Sequence, residues 1–152
     1  VILILASLLV GPVDLVVRAD YYLRESEWTS TPAGATYHYV LRNHAQEHLH
    51  NFTIGALPDT CPELQELLAA WSEQVMCPES IVAPKPWRGC VTFDEECAGY
   101  FLSFDHPAGH DGLAPGDSLA LSVTVAKADS AFARASLRIA GDRHSYEARA
   151  RE

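Results

Sequence analysis

From Ser118 to Val125 the chain runs "SLALSVTV", in which Leu119, Leu121, Val123 and Val125 alternate with Ser118, Ala120, Ser122 and Thr124. Successive side chains of a strand point to opposite faces, so this alternation predicts a β-strand with one buried and one wetter face. The same period of two sets Tyr37, Tyr39 and Leu41 on one face, and Tyr100, Leu102 and Phe104 on one face of another strand. It also sets Ala135, Leu137 and Ile139 opposite Arg134, Ser136 and Arg138. "DYYLRESEW", "NFTIGAL" and "SYEARA" bring the total to about seven short strands, separated by Gly, Pro, Asn and Asp clusters. That pattern predicts an all-β fold, an antiparallel β-sandwich. No helical pattern alternates with the strands, which argues against a parallel α/β sheet.

The period changes once. "TCPELQELLAAWSEQV" sets Leu64, Leu67, Leu68, Trp71 and Val75 at helical spacing, with Thr60 and Glu63 as a capping box and Pro62 near the first turn. The following "CPESIVAPKPWRGCVTFDEEC" is proline-rich and without clear period, so residues 58–99 read as an insertion holding one short helix. Cys61, Cys77, Cys90 and Cys97 all fall inside it, with no C-x-x-C pair of the zinc or redox kind. Two disulfides are the expectation, each contributing about 2–4 kcal/mol by restricting the unfolded chain. Three pairings are open; joining Cys61 to Cys77 and Cys90 to Cys97 closes the shortest loops. Trp87, with Arg88 beside it, is the candidate contact for a sugar or partner, against the alternative of burial beneath the loop.

The opening run "VILILASLLVGPV" has the length of a signal-peptide h-region and is too short to span a bilayer comfortably. With modest residues before Ala19, the expectation is a leader over residues 1–19, a cut after Ala19, and a single mature domain over residues 20–152 with no membrane span. The alternative is a buried strand continuing into "DLVVRADYYL". Export and disulfides agree, since oxidising compartments are where disulfides persist. The expected location is therefore secreted, periplasmic or on the cell surface.

The 152 residues suit one domain, and 48% hydrophobic with 20% charged residues is ordinary globular composition. A formal charge of −9 with scattered Lys and Arg argues against a nucleic-acid partner, because phosphates need clustered cations.

"TYHYVLRNHAQEHLHNFTIG" together with "YFLSFDHPAGHDGLAPGDSLALSVTV" resembles the immunoglobulin-like β-sandwich modules of exported bacterial proteins. In both, a strand ends at an Asn, a polar turn follows, and a "GLAPGDSL"-type turn launches a long alternating strand. The resemblance covers about half of the chain and implies a seven-stranded sandwich with a surface or secreted accessory role. It carries over no catalytic residue, and the cysteine-rich insertion departs from it.

Against that pattern His44, His48 and His50 fall in the connection between Asn43 and the strand opening at Asn51. A solvated turn is the expectation. The metal alternative joins them to His106, His110 and Asp111 of "DHPAGHDG", provided the two loops share one end of the sandwich. No nucleophile elbow, P-loop or dinucleotide glycine pattern is present, and Ser103, Asp105 and His106 do not assign to a triad along one strand. No enzyme activity and no cofactor are expected. Two readings result: a non-catalytic module binding a protein, glycan or envelope component, and an accessory, metal- or carbohydrate-binding domain of a secreted hydrolase.

Overall fold

The computed structural model describes residues 11–25, 30–55, 81–94, 99–125, 128, 130 and 132–152. Nine strands lie among them: β1 (Val13–Glu25), β2 (Ser30–Asn43), β3 (Leu49–Ile54), β4 (Ile81–Val82), β5 (Arg88–Asp94), β6 (Gly99–Asp105), β7 (Ser118–Val125), β8 (Ser136–Gly141) and β9 (Ser145–Arg151). The fold is all-β, and no helix lies among the described residues. Hydrogen bonding runs in the order β4-β7-β2-β1-β9-β8-β3-β6-β5. All these pairs are antiparallel except β1 with β9, where Leu15 faces Ala150 and Val16 faces Arg151. That pair is the seam between β4-β7-β2-β1 and β9-β8-β3-β6-β5. Because β4 also lies against β5, the sheet curls nearly closed.

The alternating positions meet as the pattern requires. Tyr37, Tyr39 and Leu41 lie opposite Val123, Leu121 and Leu119 in register, and all six are buried. On the facing side Phe52 lies between Phe104 and Ile139, and Ile54 between Leu102 and Leu137. Tyr37 stacks on Phe132 at 5.1 Å between ring centroids. The buried Tyr39 hydroxyl donates to the Phe132 carbonyl at 2.6 Å. Burial pushes this phenol well up, so it stays protonated and remains a donor. Tyr39→Phe is expected to lower stability by about 0.5–1.5 kcal/mol in urea denaturation, the net worth of a hydrogen bond. A neutral result would show that the carbonyl re-pairs without cost.

Two expectations need correction. Nine strands replace about seven, and one pair is parallel. Residues 58–99 are not wholly an irregular insertion, since β4 joins β7 and β5 runs the length of β6. Pro84 and Pro86 break the period between these two strands, which hid them. The cut expected after Ala19 would run through β1, whose Val13, Leu15 and Val17 are buried opposite Asn43, Leu41 and Tyr39. An apolar leader and a buried strand look alike by composition, and from Val13 onward this segment is strand. Arg151 ties the seam, donating to both Asp14 carboxylate oxygens at 3.0 and 2.8 Å, which holds the Asp14 carboxyl below its usual range.

The helix expected around Leu64 to Val75, with Cys61, Cys77 and Cys97, lies outside the described residues. Cys90, on β5, is disulfide-bonded. Among the described residues no helix is long and apolar enough to cross a membrane.

Candidate functional site

Strand direction brings three connections to one end of the sandwich. They are residues 44–48 between β2 and β3, residues 106–117 between β6 and β7, and residues 142–144 between β8 and β9. Six of the seven histidines lie on or beside these connections: His44, His48, His50, His106, His110 and His144.

Asn43 organises the first two connections. It ends β2 fully buried, and its side-chain amide donates to the carbonyls of Glu47 and Leu113, each at 2.9 Å, while its Oδ1 accepts from Ala45 N–H at 2.9 Å. Its backbone adds bonds to Asp117 and Gly116. Leu49 and Leu113 then exchange both backbone bonds, at 3.0 and 2.8 Å, which closes the β6–β7 loop onto β3. Gly112 makes that approach possible: its φ is +83°, and a Cβ there would meet the Leu49 carbonyl at 2.4 Å.

The two histidine loops therefore do meet, but through fewer residues than the metal alternative required. His50 belongs to β3, half-buried, rather than to a solvated turn. Its Nδ1 lies 2.9 Å from His106 Nε2, and its Nε2 lies 2.5 Å from Asp142 Oδ1. His106 Nδ1 lies 3.0 Å from the Pro107 carbonyl. His110 Nδ1 accepts from Gly112 N–H at 3.0 Å, and the His110 ring lies 5.0 Å from that of His106. His44 and Asp111 are exposed, and His48 is half-buried with Nδ1 3.9 Å from Asp142 Oδ2. Among the described residues no group of three or more His, Cys, Asp or Glu side chains is arranged to hold a metal ion.

Trp87 is buried at 7% exposure, in line with the alternative of burial beneath the loop. It stacks on Phe52 at 4.9 Å and sets its edge against His106 at 4.9 Å and His110 at 6.1 Å. The ring thus backs the histidine loop from inside. Arg88 is exposed at the start of β5, in register with Asp105. Ser103 donates to Asp105 at 3.2 Å, and the Asn51 side-chain amide donates to the same carboxylate. The bonds of His106 go to His50 and Pro107, so Ser103, Asp105 and His106 do not line up as a relay.

Glu47, Asp142, Arg143, His144 and Tyr146 were not singled out from the sequence. They line an open groove of ≈ 550 Å³ with Pro12, His44 and His48 among others. The signal was parity: in antiparallel strands, alternate connections share an end. Glu47 accepts from the amides of Arg143 and His144 at 3.1 and 3.0 Å, holding the β8–β9 turn against the β2–β3 turn. Burial pushes its carboxyl up, and the amides of His144 and Arg143 outweigh this, so it sits below its ordinary range. The His50 ring, outweighing burial and helped by His48 N–H, lowers Asp142 likewise.

A carboxyl lowered on folding contributes stability that is complete above its unfolded value and lost as the pH falls through its folded value. The two turns are therefore expected to loosen in acid. Amide shifts of Arg143 and His144 in an NMR titration should move with a midpoint below ~4, the ordinary carboxylate value. A midpoint at or above that value would contradict the assigned bonds.

No family model matches the chain, and no curated protein matches it. Two solved structures are loosely similar. One is an uncharacterized protein from Nocardia farcinica with an immunoglobulin-like fold, at 10% identity and TM-score 0.48, covering 88% of this chain and 82% of that one. The other is a GH20 exo-β-N-acetylglucosaminidase from Vibrio harveyi, at 10% identity and TM-score 0.44, covering 93% of this chain and 18% of that one.

Proposed function

We propose that this chain is a non-catalytic binding module of an exported or cell-envelope protein, and that it binds a glycan in the groove between the β2–β3 and β8–β9 turns. The observation that carries the reading is that open groove of ≈ 550 Å³, at the one end where imidazoles, carboxylates, the exposed Arg143 and the half-buried Tyr146 ring converge. Sugars need that mixture: an aromatic face for their C–H groups and convergent polar groups for their hydroxyls. Binding sites concentrate on loops held by a rigid scaffold, and the two-sided core supplies one. Export is the further part of the proposal, and the disulfide at Cys90 is in keeping with an oxidising compartment.

The test measures the whole chain against a glycan array and against purified peptidoglycan in a co-sedimentation assay. Arg143→Ala and His48→Ala are expected to weaken binding at least tenfold, with the circular dichroism spectrum unchanged. Arg138→Ala, on the outer face of β8, should leave binding intact. Absence of glycan binding, or equal binding by the groove variants, would overturn the reading.

A further inference from the structure

The bonds of His50 and His106 determine where their hydrogens sit. An ionised carboxylate and a peptide carbonyl only accept. His50 Nε2, 2.5 Å from Asp142 Oδ1, therefore carries the hydrogen of the neutral ring, and its Nδ1 is a bare lone pair. His106 Nδ1, 3.0 Å from the Pro107 carbonyl, carries its hydrogen for the same reason, and its Nε2 is a bare lone pair. With both rings neutral, those two lone pairs face each other at 2.9 Å. Two acceptors at that distance repel, so the arrangement calls for a positive species between them, either a proton shared by the rings or a metal ion.

We propose that the gap between His50 Nδ1 and His106 Nε2 is a binding site for a divalent late first-row metal ion of the Cu²⁺ or Zn²⁺ class. Ligand bonds from imidazole run to ~2.0–2.1 Å, and two such bonds meeting near a right angle leave the nitrogens ~2.9 Å apart. Right-angled neighbours are what tetragonal Cu²⁺ prefers, and the affinity order of divalent ions peaks at the same metal. Each ring also has the outer partner typical of a metal-ligating histidine: Asp142 for His50 and the Pro107 carbonyl for His106. These partners fix tautomer and ring orientation before an ion arrives.

The surroundings keep the gap open. A Cβ on Gly112 would lie 2.7 Å from His50 Nδ1, so any larger residue there would crowd the donor atom. The edge of Trp87 supports the His106 ring from the core side. The His50 side chain is 32% exposed, which lets an ion enter and water complete its shell. His110 does not add a third donor through Nδ1, which already accepts from Gly112. The site is thus a pair of imidazoles with two outer partners, and it stands whether or not the neighbouring groove binds a glycan.

The experiment titrates the whole chain with Cu²⁺ by calorimetry, and with diamagnetic Zn²⁺ while following imidazole ¹⁵N resonances. One equivalent of Cu²⁺ is expected to bind, and His50→Gln and His106→Gln should each weaken it more than tenfold. Asp142→Asn keeps both donors and should weaken it ~10–100-fold, as loss of an outer partner does. His38→Gln, on the outer face of β2, should have no effect. In the unmutated chain Zn²⁺ should shift the Nδ1 resonance of His50 and the Nε2 resonance of His106, a readout independent of how the variants fold. Resonances that stay put under excess Zn²⁺ and instead report a shared proton would overturn the proposal. Copper binding that survives both His variants would do the same.

Discussion

A chain that begins at Asp20 is expected not to fold. It lacks Val13, Leu15 and Val17, three core side chains of a strand that lies between β2 and β9. Burying an aliphatic side chain contributes about 1.5–3 kcal/mol, so the three together contribute about 5–9 kcal/mol. A whole domain is stable by about 5–15 kcal/mol. The truncation also removes the backbone ladder from Val13 to Ala19 against β2 and both rungs of the seam with β9. A chain beginning at Gly11 retains all of these contacts. Circular dichroism and thermal melting of the two should give a cooperative transition for the longer one and none for the shorter. A cooperative, near-native melt of the shorter chain would show that Val13–Ala19 is dispensable, as a leader ending at Ala19 requires. With the expected result, any processing of an exported form must occur before Val13, which N-terminal sequencing would read directly.

That first strand shows where sequence stops being sufficient. A leader's h-region and a strand buried in a core are both short apolar runs, and only pairing with β2 separates them. Where one face is buried and the other wet, alternation suffices: Leu119 to Val125 and Tyr37 to Leu41 face each other as their period implies. Where a strand is brief or flanked by proline, as β4 is before Pro84, period two has no room to show. The histidine end was half legible. "HAQEHLH" and "DHPAGHDG" read as two connections, but only the antiparallel pairing of β3 with β6 puts them at one end. That His50 belongs to β3, and that Asp142 and Glu47 complete the end from a third turn, depends on contacts between residues more than 90 positions apart. No local pattern encodes those. Trp87 is a similar case, since its burial follows from the stack on Phe52 and not from its proline-rich neighbours.

Asn43 is the residue on which this end of the sandwich depends, and Asn43→Asp is expected to cost about 3–6 kcal/mol at neutral pH. The side chain is fully buried, and both its donor and acceptor atoms are used by backbone groups of two different connections. Asp keeps the acceptor for Ala45 N–H but replaces the donor by a carboxylate oxygen facing the Glu47 and Leu113 carbonyls. A buried group left without its bond costs about 1–3 kcal/mol; here the Glu47 carbonyl loses its bond, the Leu113 carbonyl keeps only the one from Leu49 N–H, and a buried charge is added against both. Asn43→Ala loses all three side-chain bonds without adding charge and should cost somewhat less. Urea denaturation of the three proteins measures the order, and acid should narrow the gap for Asn43→Asp, because a protonated carboxyl regains one donor. The consequence extends to the histidines. Leu113 is held to Asn43 on one side and to Leu49 on the other, and the same loop carries His106 toward His50. Loosening that loop should separate the facing imidazole nitrogens even where the core survives, so a folded Asn43 variant is expected to show altered ¹⁵N resonances at His50 and His106 but not at His38. A cost below about 1 kcal/mol with those resonances unchanged would mean that the two connections hold together without Asn43.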